Sequence, residues 1–383
     1  MSKKVLIKDV CNVVTGSTPK SNVPEYWNGN IKWITPAEIS EDSFIVNDTV
    51  RHITEEGVRS TGLKSFPKGT VILSSRAPIG KVAIAGCEMY CNQGFKNIIC
   101  GIQIYNEYLY WFLKSKSEYL NSLGRGATFK EISKNIVDNI EVPLPNFEVQ
   151  IHLADTFNKI KDLENLYRGQ LVLLDQLVKS RFIEMFGDPV SNPKNWEKKA
   201  IKEFATDVRY GTSKPAIEGG RYPYLRMNNL TYDGRLDLSD LKYIDIPDNE
   251  LEKCIVKYGD ILFNRTNSID LVGKTCLFEF NAPMVIAGYI IRIRLNDRVT
   301  PLYLTTYMNL EFMKKQLRNM AKGAVNQANI NAQEMQSIIV PVPPLDLQNQ
   351  FADFVNQVNK SKFTNYRSLL LLIIKKIWYN NYM

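Results

Sequence analysis

Residues 140–155 read IEVPLPNFEVQIHLAD, and residues 338–353 read IIVPVPPLDLQNQFAD. A single offset of 198 residues aligns the two stretches. The identical pairs are Ile140 and Ile338, Val142 and Val340, Pro143 and Pro341, Pro145 and Pro343, Gln150 and Gln348, Ala154 and Ala352, and Asp155 and Asp353. The same offset pairs Ile132 with Ile330 and Leu174 with Leu372, which argues against a chance Pro-x-Pro match. Solenoid repeats recur every 20–50 residues, so this repeat indicates a duplicated domain with a trailing helix.

Each copy of the repeat leads into a long segment with helical periodicity. Residues 148–186 contain no proline and a single glycine, and a second such segment covers about residues 347–379. In the first segment, apolar residues recur at steps typical of a coiled-coil seam. They are Leu153, Phe157, Ile160, Tyr167, Leu171, Leu174 and Val178. A stripe this long exceeds what a compact domain needs. We therefore predict that the two helices pack on each other, antiparallel and related by an approximate two-fold axis.

The remainder of each copy is rich in short strands. Residues 69–75 and 81–85 are apolar and bounded by glycine and proline, which favours strands. Helices are expected over Tyr108–Leu120 and Tyr303–Leu317, and the Pro-x-Pro prolines are expected to end each globular unit. The predicted fold class is α+β: two similar strand-rich α/β domains separated by a pair of long helices. The predicted segments are 1–146, first domain; 147–187, central helix; 188–344, second domain; and 345–383, C-terminal helix.

Composition indicates a globular protein of the cytoplasm with a mild excess of positive charge. The net charge is +8, from 48 Lys and Arg against 40 Asp and Glu, which permits an anionic partner such as nucleic acid. Apolar runs fall short of the ~18–20 residues that span a membrane, and the N-terminus does not resemble a signal peptide. The six cysteines form no CxxC pair, so we expect buried reduced thiols.

Catalytic motifs are missing from the sequence. The Gly273-Lys-Thr triplet lacks the earlier glycine of a phosphate loop, since that position is Ser268. There is no GxGxxG and no Asn-Pro-Pro-Tyr tetrad, and the two histidines cannot form a metal cluster within one chain. Asp188 with Glu197 and Lys199 imitates a nuclease pattern only weakly. We therefore expect no active site, no metal and no cofactor in this chain.

Several loops of both copies combine Arg, Lys, Asn, Gln and Ser with glycine. Arginine suits guanine, Asn and Gln suit adenine, and backbone N–H groups suit phosphates. Each loop alone is more often a simple turn, but recurrence at matching places favours a shared task. In the first copy the candidate DNA contacts are Ser75, Arg76, Lys81, Asn92, Gln93, Lys96, Arg125 and Lys130. In the second copy they are Arg226, Asn228, Asn229, Asn264, Arg265, Asn267, Lys274, Lys322, Asn326 and Gln327. Arg76 and Arg265 follow matching strands.

Three segments carry a resemblance to a known family. Residues 29–39 (GNIKWITPAEI, which adds Thr35 to the candidate contacts), 67–84 and 92–95 resemble a target recognition domain of type I restriction-modification specificity subunits. In the second copy, residues 258–265 and 271–274 resemble the same motifs in a more divergent form, and Ala287-Gly-Tyr replaces Asn92-Gln-Gly-Phe. The resemblance spans essentially the whole chain and rests on the combination of motifs.

The resemblance implies a non-catalytic subunit that recognises double-stranded DNA through an asymmetric bipartite site. It further implies two DNA adenine methyltransferase subunits and restriction/translocase subunits as partners, with AdoMet, ATP and Mg²⁺ bound by those partners. The alternative is a stand-alone DNA-binding protein or a coiled-coil adaptor. A nuclease or methyltransferase in its own right is less favoured, because no motif supports it.

Overall fold

The computed structural model describes residues 3–125, 130–324 and 327–382. The chain forms two compact units. Unit 1 consists of Met1–Arg168 and Tyr366–Met383, and unit 2 consists of Gly169–Asn365. Both boundaries fall inside long helices, so each long helix contributes residues to both units.

Unit 1 is built mainly from short strands. Its strands are β1 (Lys3–Leu6), β2 (Cys11–Val14), β3 (Trp27–Ile34), β4 (Ile45–Val46), β5 (Arg51–Ile53), β6 (Val71–Leu73), β7 (Val82–Ala85), β8 (Tyr90–Cys91), β9 (Asn97–Cys100) and β10 (Glu141–Leu144). Its helices are α1 (Ile7–Val10), α2 (Glu55–Thr61), α3 (Asn106–Ser115), α4 (Ser117–Ser122) and α5 (Lys134–Asp138), followed by the long helix α6 (Phe147–Phe186).

Unit 2 repeats this composition. Its strands are β11 (Glu197–Ala200), β12 (Ala205–Tyr210), β13 (Tyr222–Leu225), β14 (Lys242–Ile244), β15 (Ile255–Val256), β16 (Ile261–Asn264), β17 (Thr266–Asn267), β18 (Thr275–Leu277), β19 (Met284–Ile286), β20 (Ile290–Leu295), β21 (Lys322–Ala324), β22 (Gln327–Asn329) and β23 (Ile339–Val342). Its helices are α7 (Asp248–Cys254), α8 (Pro301–Met308), α9 (Glu311–Met320), α10 (Ala332–Gln336) and the long α11 (Leu345–Tyr382).

The two units share the order of their main strands, although the numbers of strands in corresponding sheets differ by one. The larger sheet of unit 1 has the order β2-β9-β6-β7-β4, and its counterpart in unit 2 has the order β12-β20-β16-β18. The smaller sheets correspond as well, because β3 pairs in parallel with β8 as β13 pairs with β19. The predicted duplication of a strand-rich domain is therefore confirmed.

The central strand of each larger sheet is apolar at every core position because both of its faces are covered. In β6, Val71 and Leu73 join one hydrophobic cluster and Ile72 joins another. In β16, Ile261 and Phe263 face one cluster and Leu262 the other. A strand that is buried on both sides shows a continuous apolar run in place of alternation. The strands predicted within residues 69–75 and 81–85 are confirmed as β6 and β7.

The first proline of each Pro-x-Pro segment, Pro143 or Pro341, lies inside a strand, which the sequence analysis did not predict. β10 pairs antiparallel with β1, so that Pro143 lies opposite Lys4, and β23 pairs in the same way with β11. Proline is tolerated because each is a two-stranded sheet in which a strand edge needs no donor. The hydroxyl of Tyr108 donates to the carbonyl of Pro143 at 2.8 Å, and the hydroxyl of Tyr303 donates to that of Pro341 at 2.8 Å.

A buried glutamine joins each domain to its long helix. Gln150 has no exposed surface. Its Oε1 accepts from the backbone N–H of Tyr105 at 2.8 Å, and its Nε2 donates to the carbonyls of Gln103 and Pro145 at 3.0 and 2.9 Å. One side chain thus satisfies three backbone groups of two segments, the loop at Gln103 and Tyr105 and the helix start at Pro145.

Gln348 repeats this arrangement in unit 2. Its Oε1 accepts from the N–H of Thr300 at 2.8 Å, and its Nε2 donates to the carbonyls of Arg298 and Pro343 at 3.1 and 2.9 Å. Gln348 is also completely buried. Because buried backbone groups need partners, the same residue type is required at both junctions.

The long helices run antiparallel where they meet in unit 2, as predicted. The ammonium of Lys362 binds the carboxylate of Asp175, and the ring of Phe182 lies 5.5 Å from that of Phe351. The residue number on α11 therefore falls as the number on α6 rises. Val178 packs against the same core, so part of the predicted apolar seam serves the contact between the helices.

The two shorter predicted helices are each broken in the middle. Tyr108–Leu120 was expected as one helix, but α3 ends at Ser115, and Lys116 (φ −104°, ψ 17°) separates it from α4. Tyr303–Leu317 is divided between α8 and α9 at Asn309, whose Nδ2 donates to the carbonyls of Thr275 and Thr305. Asparagine side chains compete with helix backbone bonds in this way.

Within residues 3–125, 130–324 and 327–382, no helix carries an apolar stretch long enough to cross a membrane.

We expect Gln150→Leu to destabilise unit 1 and Gln348→Leu to destabilise unit 2, each by roughly 1–3 kcal/mol or more. The reason is that each substitution leaves buried backbone groups without partners. Urea denaturation followed by circular dichroism measures the effect. Gln176→Leu, at an exposed position of α6, is the matched control and should leave the transition in place. Unchanged midpoints for both junction variants would contradict the role of the buried glutamines.

Candidate nucleic-acid interface

The loop after the central strand has the same backbone hydrogen bonds in both units. In unit 1 the N–H of Gly80 donates to the carbonyl of Ser74 at 3.1 Å. In unit 2 the N–H of Gly273 donates to the carbonyl of Asn264 at 2.8 Å. Both glycines have positive φ, +92° and +81°, which other residues adopt only at a cost. Ser74 and Asn264 are therefore equivalent positions.

A second pair of bonds fixes the residue that follows. The carbonyl of Ser75 accepts from the N–H of Ile132 at 3.0 Å, and the carbonyl of Arg265 accepts from the N–H of Ile330 at 2.9 Å. Ile132 and Ile330 are themselves related by the 198-residue offset. Ser75 is therefore the equivalent of Arg265.

This alignment places Arg76 at the position of Thr266 rather than Arg265. The strands before the two arginines match as predicted, but the arginines are offset by one residue. Arg76 forms an antiparallel bridge with Glu131, and Thr266 pairs antiparallel with Asn329. We call this shared location the bridge position: Arg76 with Glu131 in unit 1, and Thr266 with Asn329 in unit 2.

The bridge position of unit 1 is charged. The Nε of Arg76 donates to Oε2 of Glu131 at 2.9 Å, and the Nζ of Lys96 donates to Oε1 at 3.0 Å. The Lys96 side chain is only 7% exposed, so Glu131 is the counter-charge of a buried ammonium. Burial raises the pKa of Glu131, but the hydrogen bonds from Lys96 and Arg76 outweigh it and hold the pKa below its usual range. Glu131 is therefore an ionised acceptor at neutral pH.

The bridge position of unit 2 is neutral. The hydroxyl of Thr266 donates to Oδ1 of Asn329 at 2.9 Å. Ile291 pairs with Phe263, and this is the place that Lys96 occupies beside Leu73 in unit 1. A buried lysine with a carboxylate partner in one unit therefore corresponds to isoleucine with asparagine in the other.

Arg265 lies beside the bridge position of unit 2. Its guanidinium is 4.8 Å from the ring centroid of Tyr210, a cation–π contact. Its buried Nε makes no hydrogen bond to the residues that the structure describes. Lys322 lies on the same hairpin as Asn329, with which it pairs, and its Nζ is 2.6 Å from Oε1 of Glu334.

Three candidates of unit 1 have local structural contacts. Thr35 caps a short 3₁₀ helix, because its N–H and hydroxyl both donate to Oε1 of Glu38 at 2.8 and 2.9 Å. Asn92 accepts from the N–H of Gly94 at 2.9 Å and so stabilises a turn. Gln93 is exposed and accepts from the hydroxyl of Thr18. These three do not belong to the cluster around Glu131.

Several candidates of unit 2 also hold the loop framework together. The side chain of Arg226 donates to Asp240 at 2.7 Å, and the buried Asn229 donates to the carbonyl of Asp237 at 2.8 Å. Lys274 donates to the carbonyl of Met227 at 2.7 Å, and burial lowers its pKa below the ordinary value.

Two further asparagine candidates of unit 2, Asn264 and Asn267, bind each other. Asn264 is completely buried and donates to the carbonyls of Thr266 and Tyr289, both at 3.1 Å. Asn267 donates to Oδ1 of Asn264 at 2.9 Å. Their side chains therefore fix the loop that presents Arg265 and Thr266.

The remaining candidates range from buried to exposed. Lys81 is half-buried, and its backbone N–H donates to the hydroxyl of Ser74 at 2.9 Å. Ser75 is buried and accepts from Lys96 at 3.2 Å. The exposed candidates are Arg125, Lys130, Asn228, Lys322 and Gln327. Asn326 lies outside the described residues.

Sequence analysis missed four residues at or beside the two bridge positions: Glu131 in unit 1, and Tyr210, Thr266 and Asn329 in unit 2. The 198-residue offset relates Glu131 to Asn329, so the internal repeat contained a signal for this pair. Glu131 lacks the basic or amide side chain by which the candidate DNA contacts were predicted. The cluster can donate to guanine and phosphate through arginine and can accept from base amino groups through Glu131.

The family model described as type I restriction modification DNA specificity domain matches residues 2–171 and 193–371. A type I restriction enzyme specificity subunit of Methanocaldococcus jannaschii, MjaIX, is 30% identical, over 97% of this chain and 89% of the relative. The EcoKI specificity subunit of Escherichia coli is 24% identical, over 77% of this chain and 68% of the relative.

Solved structures have the same fold. A chain of a type I restriction-modification complex, solved in a study of complex assembly and conformational transition, has a TM-score of 0.62 at 18% identity and covers 99% of this chain and 96% of its own. A specificity subunit from M. genitalium has a TM-score of 0.54 at 14% identity, over 99% of this chain and 95% of its own. The matching family model and the 30% identical MjaIX specificity subunit favour a specificity subunit over a stand-alone DNA-binding protein or an adaptor. The chain belongs to the type I restriction-modification specificity family, with its DNA specificity domain present twice.

Proposed function

We propose that each unit recognises one half of an asymmetric bipartite site in double-stranded DNA. The observation that carries this proposal is the bridge position. Two domains of one topology hold Arg76 with Glu131 in one case and Thr266 with Asn329 in the other. A shared framework with different polar chemistry suits the recognition of two different base sequences.

The long helices set the unread gap between the half-sites in this proposal. α6 has 40 residues and α11 has 38, and a 40-residue helix is ~60 Å long at 1.5 Å per residue. That length corresponds to at most ~18 base pairs at 3.4 Å per pair. The antiparallel contact of Asp175 with Lys362 and of Phe182 with Phe351 supports a stiff connection.

The chain serves as the DNA-recognition subunit for catalytic partners, which we infer from its family. These partners are two DNA adenine methyltransferase subunits together with restriction/translocase subunits, in the cytoplasm. AdoMet, ATP and Mg²⁺ belong to those partners. In support, the sequence has no Asn-Pro-Pro-Tyr tetrad and no complete phosphate loop.

The methylated motif of cells that carry this chain is expected to be bipartite, with an unread gap of several base pairs between two short half-sites. The physical reason is that two separate domains contact the DNA. Methylome sequencing of cells with and without the gene provides the measurement. A single continuous motif that depends on the gene would contradict the proposal.

Insertion of about four residues, one helical turn, next to Gln170 in α6 is expected to lengthen the gap without altering either half-site. Each domain has its own core, so the insertion changes the distance and not the recognised bases. The motif of the variant is read from its methylome. As a control, the same insertion after the exposed Gly219 should leave the gap as it was. Altered half-site bases with an unaltered gap would show that the helices are not the spacer.

Arg76→Ala should affect only the first half-site and Arg265→Ala only the second. If the arginine binds a base, the loss should be about 1–3 kcal/mol and confined to one position. If it binds phosphate, affinity should fall evenly across sequences, and the salt dependence should become shallower by about one unit. Binding titrations against single-base variants at several salt concentrations distinguish these outcomes.

Arg59→Ala is the matched control for the arginine variants, because Arg59 is an exposed residue of α2 whose partner is Glu55. It should leave binding unchanged. Unaltered affinity of both Arg76→Ala and Arg265→Ala on every sequence variant would remove the two arginines from the interface.

A further inference from the structure

At the bridge position a side-chain contact is present in both units although the residue types differ. Three framework positions have the same residue type in both units. They are the buried glutamines Gln150 and Gln348, the tyrosines that bind the proline carbonyls, Tyr108 and Tyr303, and the loop glycines Gly80 and Gly273. At the bridge position the two side chains touch in both units, yet every residue type differs. The two units thus have a paired contact of the same kind with different chemistry, which suits side chains that contact different bases.

The exposure of the pair allows it to contact a ligand. The Arg76 side chain is 45% exposed and the Glu131 side chain 34% exposed, whereas Lys96 beneath them is 7% exposed. Thr266 and Asn329 are half-buried. Arg76 and Glu131 thus form an outer layer over the buried Lys96, and the buried Ile291 occupies the position of Lys96 in unit 2.

The atoms of the charged pair match the major-groove edge of a G·C pair. Glu131 binds Nε of Arg76, so the two terminal nitrogens of the guanidinium can donate to O6 and N7 of guanine. Each oxygen of the Glu131 carboxylate has two lone pairs and one recorded donor, which leaves capacity to accept from N4 of cytosine. Guanine and cytosine present these groups side by side on one base pair.

The atoms of the neutral pair match an A·T pair. Asparagine can accept from N6 and donate to N7 of adenine with its Oδ1 and Nδ2. The hydroxyl of Thr266 donates to Oδ1 of Asn329 and so orients this amide. The methyl group of threonine suits contact with the methyl group of thymine.

We propose that the bridge position determines one base pair of each half-site: G·C through Arg76 with Glu131, and A·T through Thr266 with Asn329. This inference rests on the proposed function, in which each unit binds one half-site. Glu131 thereby acts as a base-contacting residue as well as the counter-charge of Lys96.

The test introduces the residue types of Thr266, Ile291 and Asn329 at the equivalent positions of unit 1. The triple variant is Arg76→Thr, Lys96→Ile, Glu131→Asn. Lys96 is replaced as well because a buried ammonium without its carboxylate would destabilise the unit. The full chain, assembled with its methyltransferase subunits, selects duplexes from a random pool, and the enriched sequences are compared with those of the wild-type complex. Thermal unfolding by circular dichroism confirms that the variant is folded.

One position of the first half-site is expected to change from G·C to A·T, while the gap and the second half-site stay the same. The preference at that position should shift roughly 5- to 150-fold, the range for one bidentate base contact. Asp138→Asn removes a surface ion pair with Lys134 in the same unit and is the matched control, which should select the wild-type sequence.

A folded triple variant that selects the wild-type sequence would overturn the inference and leave Glu131 as a counter-ion only. A change in the second half-site would overturn it as well. If the triple variant does not fold, Arg76→Thr alone preserves the bond between Lys96 and Glu131; it should lose the guanine preference, and retention of that preference rejects the inference. If the wild-type complex itself selects no bipartite sequence, the proposed function fails, which is a different outcome from a wild-type motif that the variants leave unaltered.

Discussion

A single amide side chain ties each DNA-recognition domain to its helix. Gln150 and Gln348 are completely buried, and each satisfies one backbone N–H and two backbone carbonyls from separate segments. Burying these groups without partners would cost more than a typical surface interaction contributes. The direction in which each long helix leaves its domain therefore depends on this contact. The proposed spacing of two half-sites on DNA needs such a fixed direction, since a flexible junction would let the length of the unread gap vary.

Some equivalent positions of the two units have the same residue type and form a common framework, whereas positions at the surface differ. Tyr108 donates to the carbonyl of Pro143, and Tyr303 donates to the carbonyl of the equivalent Pro341. The same hydrogen bond of the framework is therefore present in both units. At the bridge position the framework supplies only backbone pairing, between Arg76 and Glu131 in one unit and Thr266 and Asn329 in the other. Side chains can therefore be exchanged there without disturbing the backbone pairing, provided that in unit 1 the buried Lys96 is exchanged together with Glu131.

Much of the architecture was predictable from the sequence, because long apolar periodicities and repeated motifs are local signals. The helix predicted over residues 147–187 corresponds to Phe147–Phe186, and β6 and β7 lie where apolar runs indicated strands. The break at Lys116 was not predictable, since lysine has no strong preference against helix. Arg76 and Lys96 were predicted, but Glu131 was missed because its contact with Arg76 joins residues 55 positions apart. Register between distant segments is set by the folded sheets and leaves no periodic trace in the sequence.

The contact of Lys96 with Glu131 has a consequence for the evolution of specificity. Replacing the carboxylate alone leaves a buried ammonium without a counter-charge, and replacing the lysine alone leaves Glu131 without its deepest partner. The charged residues of unit 1 and the neutral residues of unit 2 are thus two separate solutions, and an intermediate that replaces only Lys96 or only Glu131 is expected to be less stable than either. A change from one to the other therefore needs Lys96 and Glu131, 35 positions apart, to change together. Exchange of a whole domain would carry both positions at once and avoid that intermediate.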